Sequence, residues 1–240
     1  LRFLAEFADL DGLIVNSRAC RDLVRSALGR AADRWTIDVV GLPVVPDFAG
    51  PVTEPAAAAV LHVGSFGTGG DGKQLAVVAS SLAALARHRP VRFTVAGWSA
   101  RRQCRREGIH RLPFVEIHDD PVDVRLDALM RSVDVAVQLR VPTCGESSGA
   151  VARLLGFGRQ VVVTGEGSFN ELPAELVTGV AADCTAADLA AAIETAAARR
   201  PDEATVQRAL EPCTPAAVAQ LMAAAFGCGP VAVERPRISA

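Results

Sequence analysis

Val60-Leu61-His62-Val63-Gly64-Ser65-Phe66-Gly67-Thr68-Gly69-Gly70-Asp71-Gly72-Lys73-Gln74 is the stretch on which the reading of this chain turns. An apolar run of strand length passes into a loop with five glycines, and the loop into a segment near 73–87 whose Leu, Val and Ala recur at helical spacing. Glycines without a Cβ let backbone amides approach an anion, and a helix N-terminus adds partial positive charge. Lys73 is the sole lysine among 25 basic residues, the other 24 (25 − 1) being arginine. A chain that uses arginine for every exchangeable positive charge keeps this lysine at the helix start, where it can reach a phosphate.

The same grammar continues on the C-terminal side. Apolar runs recur at Val91–Ala96, Phe114–Ile117, Val133–Leu139, Gln160–Val163 and Val177–Val180. Helical patterns near 98–107, 121–132, 147–157 and 168–174 separate them, and three more near 186–198, 202–210 and 214–226 close the domain. Strands alternating with helices imply right-handed βαβ units, hence an α/β fold with a Rossmann-like parallel sheet and flanking helices. In such a sheet ligands gather at the carboxyl ends of strands. The loop after the first strand is one such place. A second is Arg140-Val141-Pro142-Thr143-Cys144-Gly145-Glu146-Ser147-Ser148-Gly149, where free amides and hydroxyls open a helix and make a second anion cradle. Glu146 there suits sugar hydroxyls rather than phosphate; helix capping or pairing with Arg140 would be its structural role. A third loop, 164–173, offers Glu166 and Glu171, the latter better placed to line a site. His62 reads as a core histidine, and His118 as a loop residue near a nucleobase position.

Toward the N-terminus, a helix-like pattern at 1–7 precedes a short strand at Leu13–Val15, a helix from about Ser17 and a β-like run over Trp35–Val40. We divide the chain into 1–45, a Pro/Gly/Ala linker over 46–58, the main domain at 59–226 and a tail at 227–240. Acidic and basic totals of 27 and 25 leave no basic field for nucleic acid. No apolar run approaches the roughly 20 residues of a membrane span, and the start lacks a signal peptide's pattern. The expectation is a cytoplasmic protein. The six cysteines stand singly without metal-ligand spacing, so no metal is expected. Gly67–Lys73 also fits the first seven positions of the P-loop pattern, but Gln74 replaces its Ser or Thr and no apolar strand ends on an aspartate. A P-loop phosphohydrolase is thus the minor alternative.

Three stretches together resemble the C-terminal lobe of GT-B glycosyltransferases of the retaining family 4 type common in bacteria. They are the strand-glycine-lysine unit ending at Lys73, Ala136–Arg140 with Gly145-Glu146-Ser147-Ser148-Gly149, and Val161–Thr164 with Gly167–Pro173. The resemblance covers Val60 to about Phe226 and makes 1–45 the last N-terminal-lobe elements and the crossover, with most of that lobe missing. It implies a hexosyltransferase moving a sugar from a nucleotide sugar, with retention, to an unknown glycan, lipid or small-molecule acceptor. The fragment alone would then bind donor with little or no transfer, and attachment to the inner membrane face would run through the absent lobe. Lys73 and Glu146 are implied as catalytic, the first neutralising the diphosphate and the second holding hydroxyls of the transferred sugar. Donor binding is implied for Gly64, Ser65, Gly67, Thr68, His118, Arg140, Ser147, Ser148 and Gly149, with no cofactor and no catalytic metal. Two positions depart from the family: Ser65 stands where an arginine is usual, and Arg153 or Leu154 where a ribose-binding glutamate is usual. These departures define the other alternative, a non-catalytic nucleotide-binding or interaction module of the same fold.

Overall fold

The structure is a computed structural model describing residues 10–48, 60–199 and 201–228. The helix-like pattern at 1–7, most of the 46–58 linker and nearly all of the 227–240 tail lie outside the described residues.

Six parallel strands form the main sheet: β3 (Leu61–Phe66), β4 (Val91–Gly97), β5 (Val115–Asp119), β6 (Val135–Gln138), β7 (Gln160–Thr164) and β8 (Val177–Val180). Their order is β5-β4-β3-β6-β7-β8, all pairings parallel. Alternate residues feed opposite faces. Val135, Val137 and Val162 join one core with α2 (Leu75–Leu85), α3 (Ala100–Arg106) and α6 (Ala186–Ala198). Ala136, Val161 and Val163 join the other with α4 (Asp123–Ser132), α5 (Gly149–Gly156) and α7 (Glu203–Leu210). Burial on both faces explains why the strands read as continuous apolar runs, and each fully buried Leu or Val contributes about 1.5–3 kcal/mol. A last helix, α8 (Pro215–Ala225), follows α7, with Thr214 as its N-cap.

The N-terminal elements form a separate parallel pair, β1 (Gly12–Val15) with β2 (Thr36–Val39), joined by α1 (Arg18–Leu28). Ser17 caps α1 by accepting from the Cys20 N–H at 2.9 Å, and Ala32, Trp35 and Ile37 form a small core of their own. The segment 41–48 then crosses onto the main domain: the Val44 N–H donates to the Cys213 carbonyl at 2.7 Å and that of Asp47 to Gly156 at 2.8 Å.

Several expected boundaries move. β3 runs on through Gly64 and Ser65 to Phe66 because β4 pairs with it along its whole length. Both residues are therefore buried in the strand and not in the loop after it. A Cβ at Gly64 would sit 2.5 Å from the Phe66 ring and 2.8 Å from Val133, so this glycine serves packing. His118 likewise belongs to β5 rather than to the following loop, because β5 stays paired with β4 through Asp119. The expected helix over 168–174 is a 3₁₀ turn, Gly167–Glu171.

Candidate functional site

The chain runs β3, β4, β5 toward one edge of the sheet, then returns through α4 to place β6 on the other side of β3. This reversal is the crevice where open α/β sheets bind ligands. It brings together the loops after β3 and β6, which lie some 65 residues apart in sequence: the Lys73 ammonium donates to the Gln138 Oε1 at 3.3 Å and to the Phe66 carbonyl. The Val141 N–H closes the two loops at 3.1 Å from the Gly72 carbonyl.

Lys73 sits in a 3₁₀ turn, Asp71–Lys73, and Gln74 adopts a left-handed conformation before α2 starts at Leu75. The lysine therefore precedes the long helix instead of opening it. No ion pair involves it among the described residues. Burial, then the nearby Arg140 guanidinium, push its pKa down to about 8. Its partner Gln138 is buried, and the amide nitrogen of that side chain has no hydrogen-bond partner. Sequence reasoning missed Gln138; a polar residue inside the apolar run Val135–Leu139 was its only signal.

The glycine loop departs from the free anion cradle expected. The N–H groups of Gly67, Gly69, Lys73 and Gln74 already donate to the carbonyls of Ala96, Trp98, Gly70 and Asp71. Its glycines serve close contact between loops: a Cβ at Gly69 would come within 2.9 Å of the Ser99 carbonyl oxygen, and one at Gly72 within 3.0 Å of that of Val141. Thr68 is exposed at the loop tip. With Lys73 outside the helix and Gln74 where a hydroxyl would be needed, this is not the loop of a P-loop enzyme.

Gly67, at φ +97°, is the hinge of the site: a Cβ there would lie 3.8 Å from the Lys73 Nζ and 3.5 Å from the Ala150 Cβ. The Lys73 ammonium and the first turn of α5 thus both lie close to Gly67. Ser148 caps that helix, its hydroxyl accepting from the Val151 N–H at 3.3 Å, while the Ser147 hydroxyl donates to the Asn16 carbonyl at 3.2 Å. Both serine hydroxyls are engaged in structure. Among the described residues no hydrogen bond engages the Gly149 and Ala150 N–H groups, which belong to the open first turn of α5.

Glu146 accepts from the Arg140 Nη1 at 2.8 Å, the Cys144 N–H at 2.7 Å and the Thr143 hydroxyl at 3.4 Å. Burial works against its charge, but the hydrogen bonds from Arg140 and the backbone prevail and hold its pKa below the ordinary carboxylate value. Its carboxylate stays ionised, with its role as Arg140's partner realised. The Ser168 hydroxyl fixes the Glu146 carbonyl at 2.6 Å, and the Ser17 hydroxyl the Gly145 carbonyl at 2.5 Å. The N-terminal elements therefore hold this loop in place. Glu171 caps α1, accepting from the Arg18 and Ala19 N–H groups at 3.0 and 2.8 Å. His118 stands apart on the edge strand, its Nε2 4.0 Å from Glu116, with no hydrogen bond to any other residue of the site.

A cavity of about 650 Å³ opens from this hinge. Gly67, Gly149 and Ala150 line one part, and Leu126, Asp127, Met130 and Arg153 another. A second, of about 480 Å³, lies between α1, Ser147, Ser148 and the 168–173 segment. Among the described residues no group of three or more His, Cys, Asp or Glu side chains could hold a metal ion, and no helix is long and apolar enough to cross a membrane.

No family model matches the sequence, and no curated protein sequence matches it. Solved structures do. An Anabaena protein, Alr3699/HepE in complex with UDP and glucose, is 17% identical with a TM-score of 0.63, covering 94% of this chain and 66% of its own. Sucrose-phosphate synthase from Thermosynechococcus elongatus is 20% identical with a TM-score of 0.63 over 91% of this chain and 58% of its own. The lipopolysaccharide outer core galactosyltransferase WaaB gives 14%, 0.64, 90% and 62%. The chain thus spans 58–66% of the length of these three proteins. At these identities the likeness establishes architecture: the chain has the Rossmann-like α/β fold found in GT-B glycosyltransferases.

Proposed function

We propose that this chain is the donor-binding part of a glycosyltransferase that transfers a sugar from a nucleotide sugar with retention of configuration. The observation that carries the proposal is Lys73, a partly buried cation with no carboxylate partner among the described residues, next to a second cation and close, across Gly67, to the first turn of a helix. Burial and like charge both oppose such an ammonium. A bound diphosphate would supply the missing counter-charge, and the Gly149 and Ala150 amides would share it.

In this reading, Lys73 and the α5 amides stabilise charge that develops on the departing diphosphate, a preorganised electrostatic contribution made without a catalytic metal. Arg140 keeps Glu146 ionised and oriented, leaving its remaining lone pairs to accept hydroxyls of the transferred sugar. The acceptor, a glycan, lipid or small molecule, would approach from the face that the nucleotide leaves. Because the chain spans only part of its structural relatives, transfer is proposed for the whole protein and donor binding for this chain.

Calorimetric titration with UDP, GDP and ADP, with and without Mg²⁺, tests the proposal. Metal-independent binding of one diphosphate is expected, weakened by about 1.5–3 kcal/mol in Lys73→Ala, the scale of a charged hydrogen bond. Unchanged affinity in that variant would refute the assignment. The non-catalytic module is favoured by one observation: at the position of the family's ribose-binding glutamate stand Leu154 and Arg153, which carry no carboxylate, and the first is buried in the core while the second is already ion-paired to Asp123 and Asp127. Hydrolysis or transfer of a nucleotide sugar by the whole protein would exclude it.

A further inference from the structure

The cavity that opens from Gly67 runs down the groove between α4 and α5 and has a mostly apolar lining: Leu126, Met130, Ala150, Ala152 and Phe157, with Leu42, Pro43 and Val45 of the crossing segment. Three charged side chains reach it, Asp47, Asp127 and Arg153. Asp47 is committed to Arg131, whose guanidinium lies over the Phe157 ring. The other two face each other across the groove, the Arg153 Nη2 lying 2.5 Å from the Asp127 Oδ1 and its Nη1 3.2 Å from the Asp123 Oδ1.

This arrangement is asymmetric. Two carboxylates neutralise Arg153, so it has little net charge with which to draw a phosphate away from Lys73. Asp127 is the reverse case: one oxygen is fixed by Arg153, and no donor among the described residues reaches the other. Its side chain is about one-third exposed, at 34%, on the wall of the cavity. A carboxylate oriented by a guanidinium and left with one open oxygen accepts hydroxyl donors and repels anions. A Cβ on Gly67 would be 3.8 Å from the Lys73 ammonium, so the anion seat and the cavity share a wall.

We infer that Asp127 is the residue that recognises the pentose hydroxyls of the nucleoside diphosphate, with Arg153 as its positioning residue. The inference rests on the diphosphate reading of Lys73. A ligand whose diphosphate meets Lys73 and the α5 amides places the group bonded to that diphosphate in the cavity. A ribose there offers two adjacent O–H donors to the open oxygen of Asp127, while the base lies along the apolar wall. The carboxylate comes from α4, a helix in which neither the spacing of the glycine loop nor that of the Glu146 loop marks a site.

The test compares the diphosphate that binds the intact chain with its 2′,3′-dideoxy counterpart, in the wild-type chain, Asp127→Asn and Lys73→Ala. The wild-type chain should bind the ribo form about tenfold or more tightly than the dideoxy form, as expected when a charged acceptor loses its donors. Asp127→Asn should shrink that ratio to about twofold while binding the dideoxy form at least as tightly as the wild-type chain does, because a charge that repels the anion is gone; this retained binding shows that the variant keeps its fold. Lys73→Ala should weaken both ligands while preserving the ratio. Equal wild-type binding of the two forms, or an undiminished ratio in Asp127→Asn, overturns the role of Asp127 and leaves the diphosphate reading intact. Failure of every nucleoside diphosphate to bind overturns both.

Discussion

If Lys73 supplies the counter-charge for a diphosphate, affinity must fall as the lysine loses its proton. In the protein by itself its pKa is pushed down to about 8, first by burial and then by Arg140. A bound dianion would raise it again, so between the two values the complex holds a proton that the free protein has released. Linkage then sets the sign: affinity is fully present below about pH 8 and declines as pH rises above it. The dissociation constant scales as one plus the ratio of neutral to charged lysine, provided the complex stays protonated. With a pKa of about 8, that factor grows about 25-fold between about pH 7.5 and 9.5, nearly 2 kcal/mol. Isothermal titration at half-unit pH intervals reads the curve directly. Lys73→Arg, charged throughout this range, should give a flat profile except for any titration of the base itself. A wild-type profile as flat as that of Lys73→Arg would refute the placement of the anion at Lys73.

Two further predictions concern the frame around the site. His62 bridges the Ser132 carbonyl and the Thr94 hydroxyl at 2.7 and 2.8 Å, and burial, then Arg92, lower its pKa below the usual histidine value. The unfolded chain therefore takes up a proton that the folded one resists, and stability should fall as pH drops below about 6.5; urea denaturation at about pH 7 and 5 should show less of this loss in His62→Gln. Gly97 has φ +143°, and a Cβ there would overlap the Gly67 carbonyl oxygen. Gly97→Ala should cost about 3 kcal/mol or more of stability and weaken diphosphate binding by displacing Gly67; a denaturation midpoint like that of the wild type would contradict this close approach.

The sequence by itself determined the alternation of elements. Runs such as Val161-Val162-Val163 are apolar at every position because both faces of a parallel strand are buried, and that pattern does not depend on knowing the neighbours. It also marked the two loops that matter, through the clustering of glycines before Lys73 and the helix-opening serines after Glu146. Strand ends were less legible. Gly64 and Ser65 carry loop propensities, yet ladder pairing with Val95 and its neighbours and the packing of Phe66 keep them in β3. Only the tertiary structure decided which polar groups meet. It committed four amides of the glycine loop to neighbouring carbonyls, gave Glu171 to the end of α1 and Glu146 to Arg140, and set Gln138 against Lys73. It also brought Asp127 of α4 to the cavity wall opposite Arg153. Periodicity is a local consequence of burial, whereas these partnerships depend on the order of strands across the sheet, with β6 returning to the side of β3.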